Sequence, residues 1–465
     1  MNGSKKGHEM RVKSMMVALG LIVLAVFLYF KWGMNDLGAG KNLSYMGFIP
    51  LGEGFQYDYG KTPDIYYSNK GIFLSTQDGV KRLDTEGALK WDYPLSFNSP
   101  RMQGEGGYVI ISESKGLDAY VFSEEGFLYK IGLENPLLSC GINKKGHAFV
   151  ITSTDTGSYT VNTYNEKGAL VSQDLKEDEG IYPISADISD DGRILAVSAL
   201  STRGINISSV ISFYYINSAE AASFTDGLFA TASDFDNEIV SKINFTDGNK
   251  LMYLSDQSIG AIETGTDNYL KELWRAELKN EIERSSFVNG SIYAISMGKV
   301  LNNKDGYKEG TLLYYDILSG EIKLQLETGS SINYMSGGNG SLIISGGASG
   351  KDFTALNAKG DKLWEYRGTA DSMKIIILDK TDKIACTTPL KFEIMQRGRV
   401  SSSNPSDNKE EALTEEEMNF LPIEGIDENS PSETPETPSE APAETESAEP
   451  SGENAAVPEN SPEAP

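Results

Sequence analysis

Only two of the 465 residues are cysteine, two are histidine and four are tryptophan. Two thiols cannot build a disulfide-rich scaffold or a four-thiolate zinc site. Two imidazoles, His8 and His147, leave little material for histidine-based catalysis or metal binding. Positive charge is also short. Against 67 Asp+Glu stand 41 Lys+Arg, a formal net charge of −26. That balance argues against a nucleic-acid partner, because a duplex binder needs a basic face to displace counterions. Beyond about residue 64 there is no sustained 3.6-residue periodicity, so a helical bundle is excluded.

The acidity that is present is concentrated. Residues 402–465 hold 18 Asp+Glu, one Lys and ten of the 17 prolines, a net charge of −17 that leaves −9 on the other 401 residues. Rich in Pro, Glu and Ser, this tail reads as disordered, because it has too little apolar area to offset its ordering entropy. Its one apolar island is Met418-Asn-Phe-Leu-Pro-Ile-Glu-Gly-Ile426.

One uncharged apolar run exists, Ser14–Phe30. Its 17 residues reach about 26 Å as a helix, and Lys13, Lys31, Tyr29 and Trp32 suit the interfaces on either side. Lys5, Lys6, Arg11 and Lys13 precede it and Lys31 alone follows closely. The positive-inside rule then puts the N-terminus in the cytoplasm and the rest outside. A cleaved signal peptide needs a small-x-small site, and Phe27-Leu-Tyr-Phe-Lys-Trp32 is bulky throughout. The expected organisation is a cytoplasmic stub (1–13), a transmembrane signal anchor (14–32), an extracytoplasmic domain (33–401) and the tail (402–465).

The outer domain reads as all-β, with short β-branched and aromatic runs between glycine turns. Gly87, Gly126 and Gly168 are spaced by about 40 residues, as are Gly320 and Gly360, and Trp91, Trp274 and Trp364 fall at one equivalent place. A period of about 40 to 45 residues with four strands per unit predicts a β-propeller. The units fall near 64–95, 100–137, 138–175, 181–232, 238–278, 281–327, 329–367 and 371–398. The eighth lacks a fourth strand, which the upstream segment 43–49 is placed to donate. The reading is eight blades, with seven as the alternative. Asn339-Gly340, Asp191-Gly192, Asp247-Gly248 and Asn289-Gly290 are read as the tight turns after inner strands.

Leu83-Asp-Thr-Glu-Gly-Ala-Leu-Lys-Trp91 and Leu356-Asn-Ala-Lys-Gly-Asp-Lys-Leu-Trp364 resemble the repeat of quinoprotein-type (PQQ-like) β-propellers. Together with the anchor and the acidic tail, the chain resembles a family of membrane-anchored propellers from low-GC Gram-positive bacteria. The superfamily holds both quinone-dependent dehydrogenases and non-catalytic scaffolds. A dehydrogenase of that kind implies a vicinal cysteine pair, a calcium site and a catalytic Asp.

Nothing in this sequence assembles such a centre. Cys140 and Cys386 lie in units three and eight and read as buried thiols. His147 reads as a turn or strand residue. Asp190-Asp191-Gly192 reads as a hairpin turn, and Ser153-Thr-Asp-Thr-Gly157 has a single carboxylate, so neither is a calcium loop. No catalytic, cofactor-binding or metal residue is assigned, and no cofactor is expected. Two insertions between second and third strands, 201–206 and 299–310, are expected on the face of the blade-to-blade loops, where binding often resides. The expected function is a non-enzymatic propeller on the outer side of a bacterial plasma membrane, binding a protein or cell-envelope component. The alternatives are a quinone- or metal-dependent oxidoreductase and an envelope sensor.

Overall fold

One recurring turn organises the domain. Asp84 Oδ1 accepts the N–H groups of Glu86 (3.0 Å) and Ala88 (2.8 Å). Asn165 and Asn357 close the equivalent turns of later repeats in the same way, and Asp316 takes Leu318 and Ser319. A side-chain oxygen thus substitutes for a backbone partner and reverses the chain tightly. The glycine of the turn adopts positive φ, +71° at Gly320, and the next strand then leaves antiparallel.

The tryptophan of the motif locks one repeat to the next. Trp274, in the fourth strand of its repeat (Leu270–Glu277), stacks on Tyr315 with ring centroids 6.0 Å apart and planes at 2°. Its Nε1 donates to Ile317 O at 2.7 Å. Trp91 does the same to Phe122 (5.7 Å) and Glu124 O (2.9 Å). A Cβ on Gly320 would lie 2.5 Å from the Trp274 ring, so the turn glycine also makes room for the incoming indole.

The computed structural model describes residues 45–400 except 69, 155–157, 177–179, 247–249, 266–268, 302–304, 348–349, 369–373 and 379–381. The stub, the anchor and the tail therefore lie outside the described residues. Among the described residues no helix is long and apolar enough to cross a membrane.

Eight antiparallel sheets result, one per repeat, each an up-and-down meander. Blades one to eight span 64–94, 100–132, 137–176, 181–236, 240–277, 280–327, 332–367 and 374–400. Each second strand is buried on both faces, as in Ser341–Gly346 of blade seven, while fourth strands such as Leu89–Pro94 alternate. Eight apolar clusters hold the ring, each lying between two consecutive blades. The last joins Ile72, Leu74 and Leu83 of blade one to Ala385, Phe392 and Ile394 of blade eight. Each fully buried large side chain contributes roughly 1.5–3 kcal/mol.

Blade eight is completed from the N-terminal side. Tyr45–Pro50 pairs antiparallel with the third strand, Lys391–Val400, as its outer neighbour, and Phe55–Gln56 continues the pairing. Phe48 meets Trp364 and Tyr366 of blade seven edge-on at 4.9 and 5.4 Å. The ring is thus closed by the expected segment, and the count is eight rather than seven. The last strand runs to Val400, two residues past the expected end, because it pairs with both upstream pieces.

Two local expectations change. Asn339 and Gly340 both take positive φ (52° and 75°), as a tight hairpin requires, but at Asp191-Gly192 only the glycine does (71°) and at Asn289-Gly290 neither does. There Asn289 Oδ1 instead takes the N–H groups of Ser291 and Ile292. Asp247-Gly248 lies outside the described residues. Blade four also carries a helical turn, Ser218–Ala221, before its fourth strand. Asn217 Oδ1 caps it through Ala219 and Glu220, and four residues are too few to register as periodicity.

Candidate functional site

The inner strands meet around the propeller axis, and side-chain hydrogen bonds stitch several of the seams between them. Between blades four and five the seam is fully made. Ser185 Oγ accepts Ile243 N–H (3.3 Å), Asp187 Oδ2 accepts Phe245 N–H (2.6 Å), and Ser198 Oγ donates to Val240 O (2.8 Å). The rule recurs elsewhere. Asp64 takes Met102 N–H, Ser286 takes Gly337 N–H, and Tyr334 OH takes Ile375 N–H. In each case the preceding blade satisfies edge N–H groups that would otherwise stay open.

Between blades five and six the same register carries different residues. Strand pairing places Lys242 where blade four has Ser185, Asn244 where it has Asp187, and Leu254 where it has Ser198. An ammonium has no acceptor and a leucine has no donor. Asn244 Oδ1 is enclosed and has no hydrogen-bond partner among the described residues. The inner strands Val240–Thr246 and Asn280–Asn289 are correspondingly splayed, while those of blades four and five, and of six and seven, run side by side. At the rim the two blades stay locked by the Trp274 stack.

A cleft of about 800 Å³ opens at this seam, on the face of the blade-to-blade links. Ile239, Leu254, Leu278, Ile282 and Leu301 give it an apolar lining, and Lys242, Asp256, Glu281, Glu283 and Arg284 give it charge of both signs. Glu283 is already engaged with blade seven, accepting from the Ser331 hydroxyl and from Ile332 N–H. Arg284 Nε donates to Asn333 O at 3.0 Å. Lys242 Nζ lies over the Tyr293 ring, 5.4 Å from its centroid, and has no carboxylate partner among the described residues. Leu301 belongs to the blade-six insertion. The fully buried Asn280 pins that loop, donating to Gly298 O and Tyr307 O and accepting Tyr307 N–H, all at 2.8 Å.

Of the two insertions singled out in the sequence, the one in blade six borders this cleft. The one in blade four emerges on the same face with Ile205 and Ile207 exposed, but does not line it. Lys242 and Leu254 carried no signal in the sequence, because their meaning lies in what equivalent positions of the other blades hold.

The remaining sequence candidates fall elsewhere. Cys140 and Cys386 are both free and buried, and burial pushes their thiols up to about 11 and about 12. His147 lies at the start of a second strand, its imidazole packed over Gly192 and 3.7 Å from Glu166. Burial holds it below the usual histidine value, with Glu166 opposing. Asp191 holds a turn, accepting from Ser189 Oγ and Arg193 N–H. Of Ser153–Gly157, residues 155–157 lie outside the described residues. Among the described residues no group of three or more His, Cys, Asp or Glu side chains is placed to hold a metal ion. A second gap, lined by blades seven, eight and one, is smaller at about 260 Å³, and the Lys374–Asp64 ion pair (3.3 Å) bridges blades eight and one.

Several solved propellers are similar to this chain. BamB from Moraxella catarrhalis is 11% identical over 76% of this chain and all of its own, with a TM-score of 0.45. Sqt1 from Saccharomyces cerevisiae is 12% identical over 75% of this chain and 99% of its own, with a TM-score of 0.49. AztD from Citrobacter koseri is 11% identical over 67% and 87%, with a TM-score of 0.42. At such identities the likeness is one of fold alone. No curated protein matches the sequence. Residues 56–396, almost the whole propeller, match the model of a family of unknown function, DUF5711, and the chain belongs to that family.

Proposed function

We propose that this chain is a non-enzymatic binding propeller, held by a single N-terminal anchor on the outer side of a bacterial plasma membrane. Its ligand would be a protein or another component of the cell envelope, taken at the cleft between blades five and six. The observation that carries this reading is the open seam. A ring stitched at several other seams is left unstitched where an apolar floor, a lysine with no carboxylate partner among the described residues and a clamped insertion converge. Its size is that of a ligand cleft. An apolar floor with a few charged and hydroxyl side chains at its edge is the lining that binding suits. The anchor rests on the apolar run at 14–30 and the basic residues before it.

A photo-crosslinking amino acid at Gln257, on the cleft rim, tests the reading in intact cells. One at Leu89, exposed on blade one, serves as the control. A discrete adduct from position 257 and none from 89 is the expected result. Adducts from both positions alike, or from neither, would overturn it.

A further inference from the structure

Resting on that assignment of the cleft, we infer that its occupant is an extended peptide segment of a partner protein, apolar with an acidic side chain, which completes the seam that blade five leaves open. The register argument identifies what is missing. At the blade four–five seam the N–H groups of Ile243 and Phe245 face the preceding blade and are taken by Ser185 and Asp187. Their equivalents in blade six are Ser285 and Phe287, by pairing with Ile295 and Tyr293. Among the described residues no side chain of blade five takes those two groups.

The cleft therefore presents the inner-strand edge at Ser285 on its blade-six wall, and Ser241 and Lys242 on its blade-five wall. An extended main chain supplies alternating acceptors and donors at this spacing, which is how added strands bind sheet edges. Leu254, Leu278 and Ile282 would receive its apolar side chains. Lys242, held over the Tyr293 face without a carboxylate, would pair with its acid. A flat rigid ligand would use the lysine but would leave the edge groups unmet.

The test uses the full chain in detergent and a fluorescein-labelled seven-residue peptide of alternating leucine and glutamate, capped at both ends, read by anisotropy. Two control peptides carry lysine for glutamate, or N-methyl groups on alternate amides. Saturable binding of the first peptide is expected, with about tenfold or greater loss for each control. In the protein, Lys242→Ser with Leu254→Ser restores the residue types that stitch blades four and five. It should weaken the peptide at least as much, with some loss of melting temperature because Leu254 belongs to the buried cluster joining blades five and six. Lys242→Met should weaken binding without closing the seam. Equal binding of the N-methylated peptide, unchanged affinity in the double variant, or no binding of the acidic peptide would each overturn the inference. If the adduct at position 257 persisted in any of those cases, the cleft would still be a binding site, for a ligand of different chemistry.

Discussion

Asp84, Asn165, Asp316 and Asn357 perform the same task in four repeats, and the task is a turn. The residues that make the sequence look like a quinoprotein repeat are spent on reversing the chain and seating an indole. That accounts for a motif that announces the fold and leaves the ligand unstated. Gly320→Ala should show how tight the seat is. Its Cβ would meet the Trp274 ring at 2.5 Å on a backbone at φ +71°, and the expected loss is about 2–4 kcal/mol in urea unfolding. Gly126→Ala has positive φ but open space around the new Cβ, so it should cost clearly less. Asp187 carries a pH dependence of known sign. Enclosure raises its carboxyl from 3.8 to about 7, against the N–H groups of Phe245 and Ile188 that favour the anion, with Asp190 adding to the rise. The folded protein keeps a proton that the unfolded chain loses, so the penalty is absent below about pH 4, grows as pH rises and is complete above about 7. Asp187→Asn removes it. The stability of the variant minus that of wild type should increase from pH 4 to 7 and then level off; a flat difference would show that Asp187 titrates normally.

Among the elements, the strand Tyr45–Pro50 matters out of proportion to its length. It gives blade eight its outer strand and covers an edge that would otherwise be an open template. Phe48 also fits between blade eight and the Trp364–Tyr366 pair of blade seven. Removing residues 41–52 should therefore cause aggregation or a large drop in melting temperature, and an unchanged melt would show that the ring closes without it. The need for this strand was legible in the sequence, because unit eight came up one strand short. Its continuation at Phe55–Gln56 was not, since two residues carry no pattern. The helical turn at Ser218–Ala221 was hidden for the same reason.

For the whole molecule, the last strand of the ring ends at Val400. A chain ending at residue 401 should fold and melt within a few degrees of the full protein, as followed by circular dichroism. Loss of the cooperative transition would mean that the tail contributes to the core. The charge asymmetry around the apolar run makes a separate prediction about orientation. Protease added to intact protoplasts should remove the tail at 402–465, and a protected tail would reverse the assigned topology.

Local chemistry was enough for the all-β class, the repeat length, the turn positions and the closing strand. Each follows from patterns confined to a few residues: alternation, an Asx turn, a glycine, a docking aromatic. The cleft was beyond that reach. Lys242 and Leu254 are ordinary residues of ordinary strands, and they become a site only because the register sets them where blade four has Ser185 and Ser198. Whether two neighbouring blades stitch or part depends on groups some 40 residues apart in sequence meeting across a seam, and only the folded ring brings them to the same place.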